Sequence, residues 1–149
     1  MLYRRRDGKL EVLLVHPGGP FWQKRDEGAW SIPKGEVAEN EEGMEVARRE
    51  FHEELGTAAP DGEGTPLGEV RQAGGKLVQA WALPGDLDVA RIISNTFEIE
   101  WPPRSGKMQS FPEVDRAQFF TVAEARRKIN PAQAAFLDAL EALLASASK

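Results

Sequence analysis

Cysteine is absent from the 149 residues, which excludes a disulfide scaffold, a Cys-ligated zinc or iron–sulfur site, and thiol catalysis. Long apolar runs are missing too. The longest span a few residues, against the ~20 that a membrane helix needs, so no membrane partner is expected. Met1-Leu2-Tyr3 meets Arg4-Arg5-Arg6 with no apolar stretch behind it; no secretory signal is visible, and the cytoplasm is the expected location. A basic excess is lacking as well, because 19 Lys and Arg face 24 Asp and Glu for a net charge of −5. Phosphate backbones attract basic surfaces, so nucleic acid is not an expected partner. Internal repeats, linkers and low-complexity tracts do not occur. What remains, with 41% apolar and 29% charged residues, reads as one ordinary globular domain over residues 1–149. A chain of this length buries roughly two-thirds of its unfolded surface.

Turn and cap signals divide the chain. Asp7-Gly8 predicts a hairpin into a β-rich run over 9–16, with a first strand so short that it reads as clipped or as a sheet edge. Gly18-Gly19-Pro20 breaks the run, residues 21–29 read as loop, and 30–32 as a short strand ended by Pro33. Asn40 is a good N-cap for a helix running to Leu55, with Gly56 as its C′ residue. Met44, Ala47, Phe51 and Leu55 form its core-facing stripe, and Gly43 in the first turn weakens it by about 1 kcal/mol relative to alanine. A loop over 57–66 precedes strands at 68–72 and 76–83. Residues 96–101 alternate apolar and acidic, as a half-buried strand does, and 102–107 form a basic loop. A last strand falls at 117–120. Thr121-x-x-Glu124 is a capping box, and Asn130-Pro131 opens a helix with an apolar face of Phe136, Leu137, Leu140, Leu143 and Leu144. The expected fold is a mixed α/β domain of the α+β kind, with an antiparallel or mixed sheet.

The acidic residues are unevenly spread. Between Gly35 and Gly56 eight glutamates face only Arg48 and Arg49. At 100° per residue, Glu50, Glu53 and Glu54 fall within a sector about 100° wide, beside the apolar stripe. Such carboxylates repel one another by some tenths of a kcal/mol per exposed pair. On spacing alone this is a solvated helix face or a holder of divalent cations that prefer oxygen ligands.

The surrounding spacing decides between them. Gly35, Glu41 and the run Arg49-Glu50-Phe51-His52-Glu53-Glu54-Leu55-Gly56 resemble the Nudix box, G-x5-E-x7-R-E-U-x-E-E-x-G-U with U a bulky aliphatic. All seven fixed positions match; a chain of this composition does so by chance about once in 10⁵ cases. Phe51 and Thr57 depart from the two U positions, which concern packing. The resemblance implies a mixed β-sheet between helices, with the box as a loop–helix–loop. It also implies hydrolysis of a nucleoside diphosphate linked to another group, with Mg²⁺ or Mn²⁺. Glu50, Glu53 and Glu54 would then be metal ligands, joined by the Gly35 carbonyl. Arg49 would orient the glutamates and Glu41 support them. Two or more cations neutralise a polyanion and generate hydroxide near neutral pH, and an arginine among carboxylates fixes their rotamers.

The general base is open between Glu53 in the box, Glu98 or Glu100 on the strand over 96–101, and Glu113 in Phe111-Pro112-Glu113. Glu98 and Glu100 also suit the solvent face of an edge strand. Lys34, Arg104 and Lys107 are candidate phosphate contacts, and Trp22, Trp30 and Trp81 candidate stacking platforms, although a core or turn role is common for tryptophan. His16 stands alone, and His52 occupies a box position that the family leaves free. Pro33-Lys34-Gly35 is similar to the start of the box in hydrolases of diadenosine and diphosphoinositol polyphosphates, which points to a dinucleoside polyphosphate. The alternatives are a nucleoside triphosphate pyrophosphatase and a catalytically silent nucleotide-binding module.

Overall fold

The computed structural model describes residues 1–33, 43–72 and 75–147. Strand β1 (Leu2–Arg6) turns into β2 (Lys9–Pro17) through Asp7 and Gly8, whose φ values of 51° and 76° suit the tight turn anticipated there. β1 is not an edge. β4 (Leu77–Pro84) runs parallel on its other side, where the Leu83 and Gly85 amides donate to the Met1 and Tyr3 carbonyls at 3.0 and 2.9 Å. With β3 (Thr65–Arg71) and β7 (Val114–Thr121) the sheet order is β3-β4-β1-β2-β7, and every other pairing is antiparallel.

Sheet position explains where the sequence misleads. β3 begins inside the expected loop, and its Pro66 is tolerated because β3 is an outer strand. β7 begins at Val114, three residues early, because Asp115 and Arg116 hide its apolar pattern. Residues 30–32 form isolated bridges, Ser31 to Val15 and Trp30 to Ile129, and no full strand.

β2 lies in the interior, and Val12 to His16 are all buried, as expected of a strand covered on both faces. Its alternation splits the core in two. Leu13 and Val15 pack with Phe51 and Leu55 of α1 (Gly43–Leu55). Val12 and Leu14 pack with Ala125 of α2 (Val122–Lys128) and with Phe136, Leu137 and Leu140 of α3 (Ala134–Ala147). Each of these side chains larger than alanine contributes roughly 1.5–3 kcal/mol. The anticipated sheet between helices is thus observed. The capping box at Thr121 forms as read, with the Glu124 amide donating to Thr121 Oγ1.

Gly43 is required where it sits: a Cβ would stand 2.3 Å from the Trp81 ring, so close approach of helix to β4 offsets the lost helix propensity. Asn40 lies outside the described residues. β5 (Thr96–Glu100) and β6 (Met108–Pro112) form a separate two-stranded hairpin. β6 escapes sequence reading because only Phe111 of its five residues is even half-buried. Among the described residues no helix is long and apolar enough to cross a membrane.

Candidate active site at the end of helix α1

Gly56 ends α1 with φ 74°, its amide donating to the His52 carbonyl at 2.8 Å, the left-handed cap read from the sequence. Two further carbonyls of the last turn are met from outside the helix. Ile93 N–H donates to Leu55 O at 3.0 Å and Asn95 N–H to Glu53 O at 2.8 Å. The chain of bonds continues: Glu113 N–H donates to Asn95 O at 2.8 Å, Gly18 N–H to Glu113 O at 2.9 Å, and Val114 N–H to Ser94 Oγ at 2.9 Å. Gly18 has no alternative in this knot, since a Cβ would stand 2.0 Å from the Pro112 carbonyl oxygen. Backbone bonds therefore tie the acidic helix, the start of β7 and the end of β2 together.

The knot frames a cleft of about 400 Å³ whose lining includes Trp22, Ser31, Glu54, Gln72, Glu113 and Asn130. Glu54 and Glu113, 59 positions apart in sequence, share its wall. Glu50, Glu53 and Glu54 are all half-buried and Arg49 is exposed; Glu54 Oε2 is closed off from solvent. Among the described residues no group of three or more His, Asp or Glu is placed so that it could hold a metal ion by itself. The donor set nevertheless fits a hard cation: three carboxylates lie at i, i+3 and i+4 of one helix, and Mg²⁺ takes few carboxylates while keeping waters. Lys34, Gly35 and Glu41 lie outside the described residues.

The other candidates separate cleanly. Glu98 and Glu100 sit on the exposed side of the β5–β6 hairpin, opposite half-buried Phe97 and Ile99, and neither lines the cleft. Arg104 and Lys107 are exposed in the turn of that hairpin. Trp30 corrects the stacking expectation. It is 2% exposed, packed edge-on against His16 and Phe120, with Nε1 donating to Asp26 Oδ1 at 2.8 Å. Trp81 is half-buried beneath the start of α1. Trp22 is 37% exposed at the cleft, with the Arg25 guanidinium 5.4 Å from its ring.

Two residues of this region were not legible beforehand. His16 is 0% exposed; its Nε2 donates to the Arg25 carbonyl at 2.6 Å, and Nδ1 lies 2.8 Å from Asp115 Oδ1. It thereby pins the segment that carries Trp22. Gln133, also 0% exposed, lies beneath Ser31 and Gln72. A lone histidine at the end of a buried run was the available signal for the first; none marked the second.

The family model of the NUDIX domain matches residues 1–140. No curated protein matches the chain. Among solved structures, an Ap4A hydrolase of C. elegans in a binary complex superposes with a TM-score of 0.64 at 22% identity, covering 97% of this chain and 95% of that one. The NUDIX domain of Shewanella oneidensis NrtR, complexed with ADP ribose, gives 0.61 at 18% identity, covering 96% and 83%. The E. coli ORF135 protein gives 0.55 at 26% identity, covering 97% and 88%.

Proposed function

Because the chain belongs to the Nudix family, and is a pyrophosphohydrolase on that ground, we propose that its substrate is a nucleoside diphosphate linked to another group and held in the cleft beside Glu54. The observation that carries this reading is the shared cleft: Glu54 of the box helix and Glu113, 59 residues away in sequence, both line it, together with an exposed tryptophan. Glu50, Glu53 and Glu54 hold Mg²⁺ or Mn²⁺, with the Gly35 carbonyl as a further ligand. When bound, the cation supplies charge neutralisation to the polyphosphate and lowers the pKa of water. Arg49 orients the glutamates and Glu41 supports them.

Glu113, in place of Glu98, takes the proton from the attacking water. It lines the same cleft as Glu54, and its own backbone is bonded on both sides, so its position costs little reorganisation. The finer reading is a dinucleoside polyphosphate, supported by Pro33-Lys34-Gly35, with Lys34 meeting a phosphate beyond those at the cation. A nucleoside triphosphate is the second reading. It is favoured by the sequence's one tyrosine being Tyr3 on β1, whereas polyphosphate hydrolases of this kind often carry a tyrosine downstream of the box. A panel of nucleoside triphosphates, dinucleoside polyphosphates and nucleoside diphosphate sugars, assayed with Mg²⁺ and Mn²⁺ and with product identification, decides between them. Hydrolysis of none of these would overturn the proposal.

A further inference from the structure

We propose that this cleft reads its nucleoside by oxygen acceptors on the base, favouring guanine or uracil over adenine or cytosine. The proposal rests on the nucleotide reading above and adds the base to it. It starts from Gln133, whose surroundings fix which way its amide points. The Ile32 backbone N–H lies 3.0 Å from it and can only donate, so the atom it meets is the amide oxygen, Oε1. Gln133 Nε2 therefore faces Ser31 Oγ at 3.0 Å and the Gln72 side chain. An amide nitrogen only donates, so the Gln72 atom it meets is again an oxygen. Gln72 is left with its NH₂ group to offer a ligand.

Asn130 arrives at the same state by another route. The Ala132 N–H donates to its Oδ1 at 2.9 Å, which leaves Nδ2. Ser31 donates its own proton to the Ile32 carbonyl at 2.7 Å. Gln72 and Asn130 both line the cleft, which thus offers two amide donors, while its acceptors are the carboxylates of Glu54 and Glu113. Trp22 offers a flat apolar face on which any base stacks, at no cost in selectivity. Selectivity comes from the edge. Guanine presents two acceptors, O6 and N7, and uracil presents O4, whereas adenine keeps N7 but carries an amino donor in place of O6, and cytosine carries one in place of O4. An amino group set against an amide NH₂ leaves two donors without partners, which a site built for hydrogen bonding rejects. Gln133 acts through Gln72 and is a positioning residue.

The test is equilibrium binding of GDP and ADP in the presence of Mg²⁺, by calorimetry, alongside hydrolysis of the corresponding guanosine and adenosine polyphosphates. Wild type is expected to bind GDP about tenfold more tightly than ADP. In Gln72→Glu one carboxylate oxygen keeps the Gln133 bond and the other presents an acceptor, so the ratio falls to one or reverses. In Gln72→Leu it falls to one without reversing. Equal affinity for the two nucleotides in wild type, no binding of either, or an unchanged ratio in both variants would overturn the inference. A retained binding ratio without hydrolysis would instead sink the proposed activity and leave the base preference standing.

Discussion

Two regions of this protein carry acidic residues of similar promise, and they are built differently. At the end of α1, Glu53, Glu54 and Glu113 sit at a backbone knot in which Ile93 and Asn95 donate to the helix end, Glu113 to Asn95 and Gly18 to Glu113. On the β5–β6 hairpin, Glu98 and Glu100 project from a two-stranded ribbon outside the main sheet. A carboxylate that must hold charge in a fixed place needs its backbone restrained from more than one side, because restraint before reaction lowers the cost at the moment of reaction. A carboxylate that keeps a ribbon solvated needs only alternation. Acidic residues alone do not distinguish the two; where their backbone bonds lead does.

The largest effect that would break this contrast is expected at the box helix. Glu54→Gln or Glu53→Gln should lower turnover by on the order of 10² or more at saturating Mg²⁺. Both residues lie off the apolar stripe, so thermal unfolding should change little, and relief of repulsion between carboxylates favours the metal-free variant. Near-normal turnover in either variant would end the metal assignment. Glu113→Gln should follow, with a loss of about 10²- to 10⁴-fold if it accepts the proton, while Glu98→Gln stays within about twofold of wild type. The reverse ranking would move the chemistry to the hairpin.

A third substitution tests the knot without touching a carboxylate. Gly18→Ala places a methyl 2.0 Å from the Pro112 carbonyl oxygen, so the backbone must shift. Overpacking of this kind costs about 1–3 kcal/mol, and the displaced Glu113 should lower kcat more than it raises KM. Gly8→Ala is the comparison, since nothing stands within 4 Å of its added Cβ and the loss there is confined to the strain of φ 76°. Equal turnover in the two variants would show that the knot does not position the site.

Much of this architecture is readable from local chemistry. Asp7-Gly8, Gly56 and Thr121-x-x-Glu124 each act through neighbours within a few residues, and all three do what their residue types dictate. The box helix is legible for the same reason. What is not legible depends on distant closure. β1 becomes interior only because β4 pairs with it from 81 positions away, and β6 exists only as the partner of β5. Trp30 looks like a stacking platform until Asp26, His16 and Phe120 surround it. The proposed preference for Glu113 over Glu98 has no local signature, because it rests on Asn95 and Gly18 bonding the N–H and the carbonyl of Glu113.

The smallest expected effect concerns the segment that bears Trp22 and asks whether charge or packing holds it beside the cleft. Asp26 lies there, paired with Lys128 and accepting from Trp30 Nε1. The Lys128 ammonium, and after it the Trp30 N–H, hold its carboxyl below the ordinary value of 3.8. A depressed carboxylate contributes stability that is fully present above its unfolded pKa and is lost as the pH falls through the folded one. Asp26→Asn keeps the oxygen that Trp30 uses and removes only the charge. Its side chain is 54% exposed, so solvent screens the pair, and the variant should lose under about 1 kcal/mol at pH 7. Wild type and variant should converge in denaturant midpoint as the pH falls through the depressed folded pKa, below which the wild-type carboxyl is itself protonated. A difference that persists in acid would mean that Asp26 acts through shape, and that the Trp22 side of the cleft, like the Glu113 side, is held by uncharged contacts.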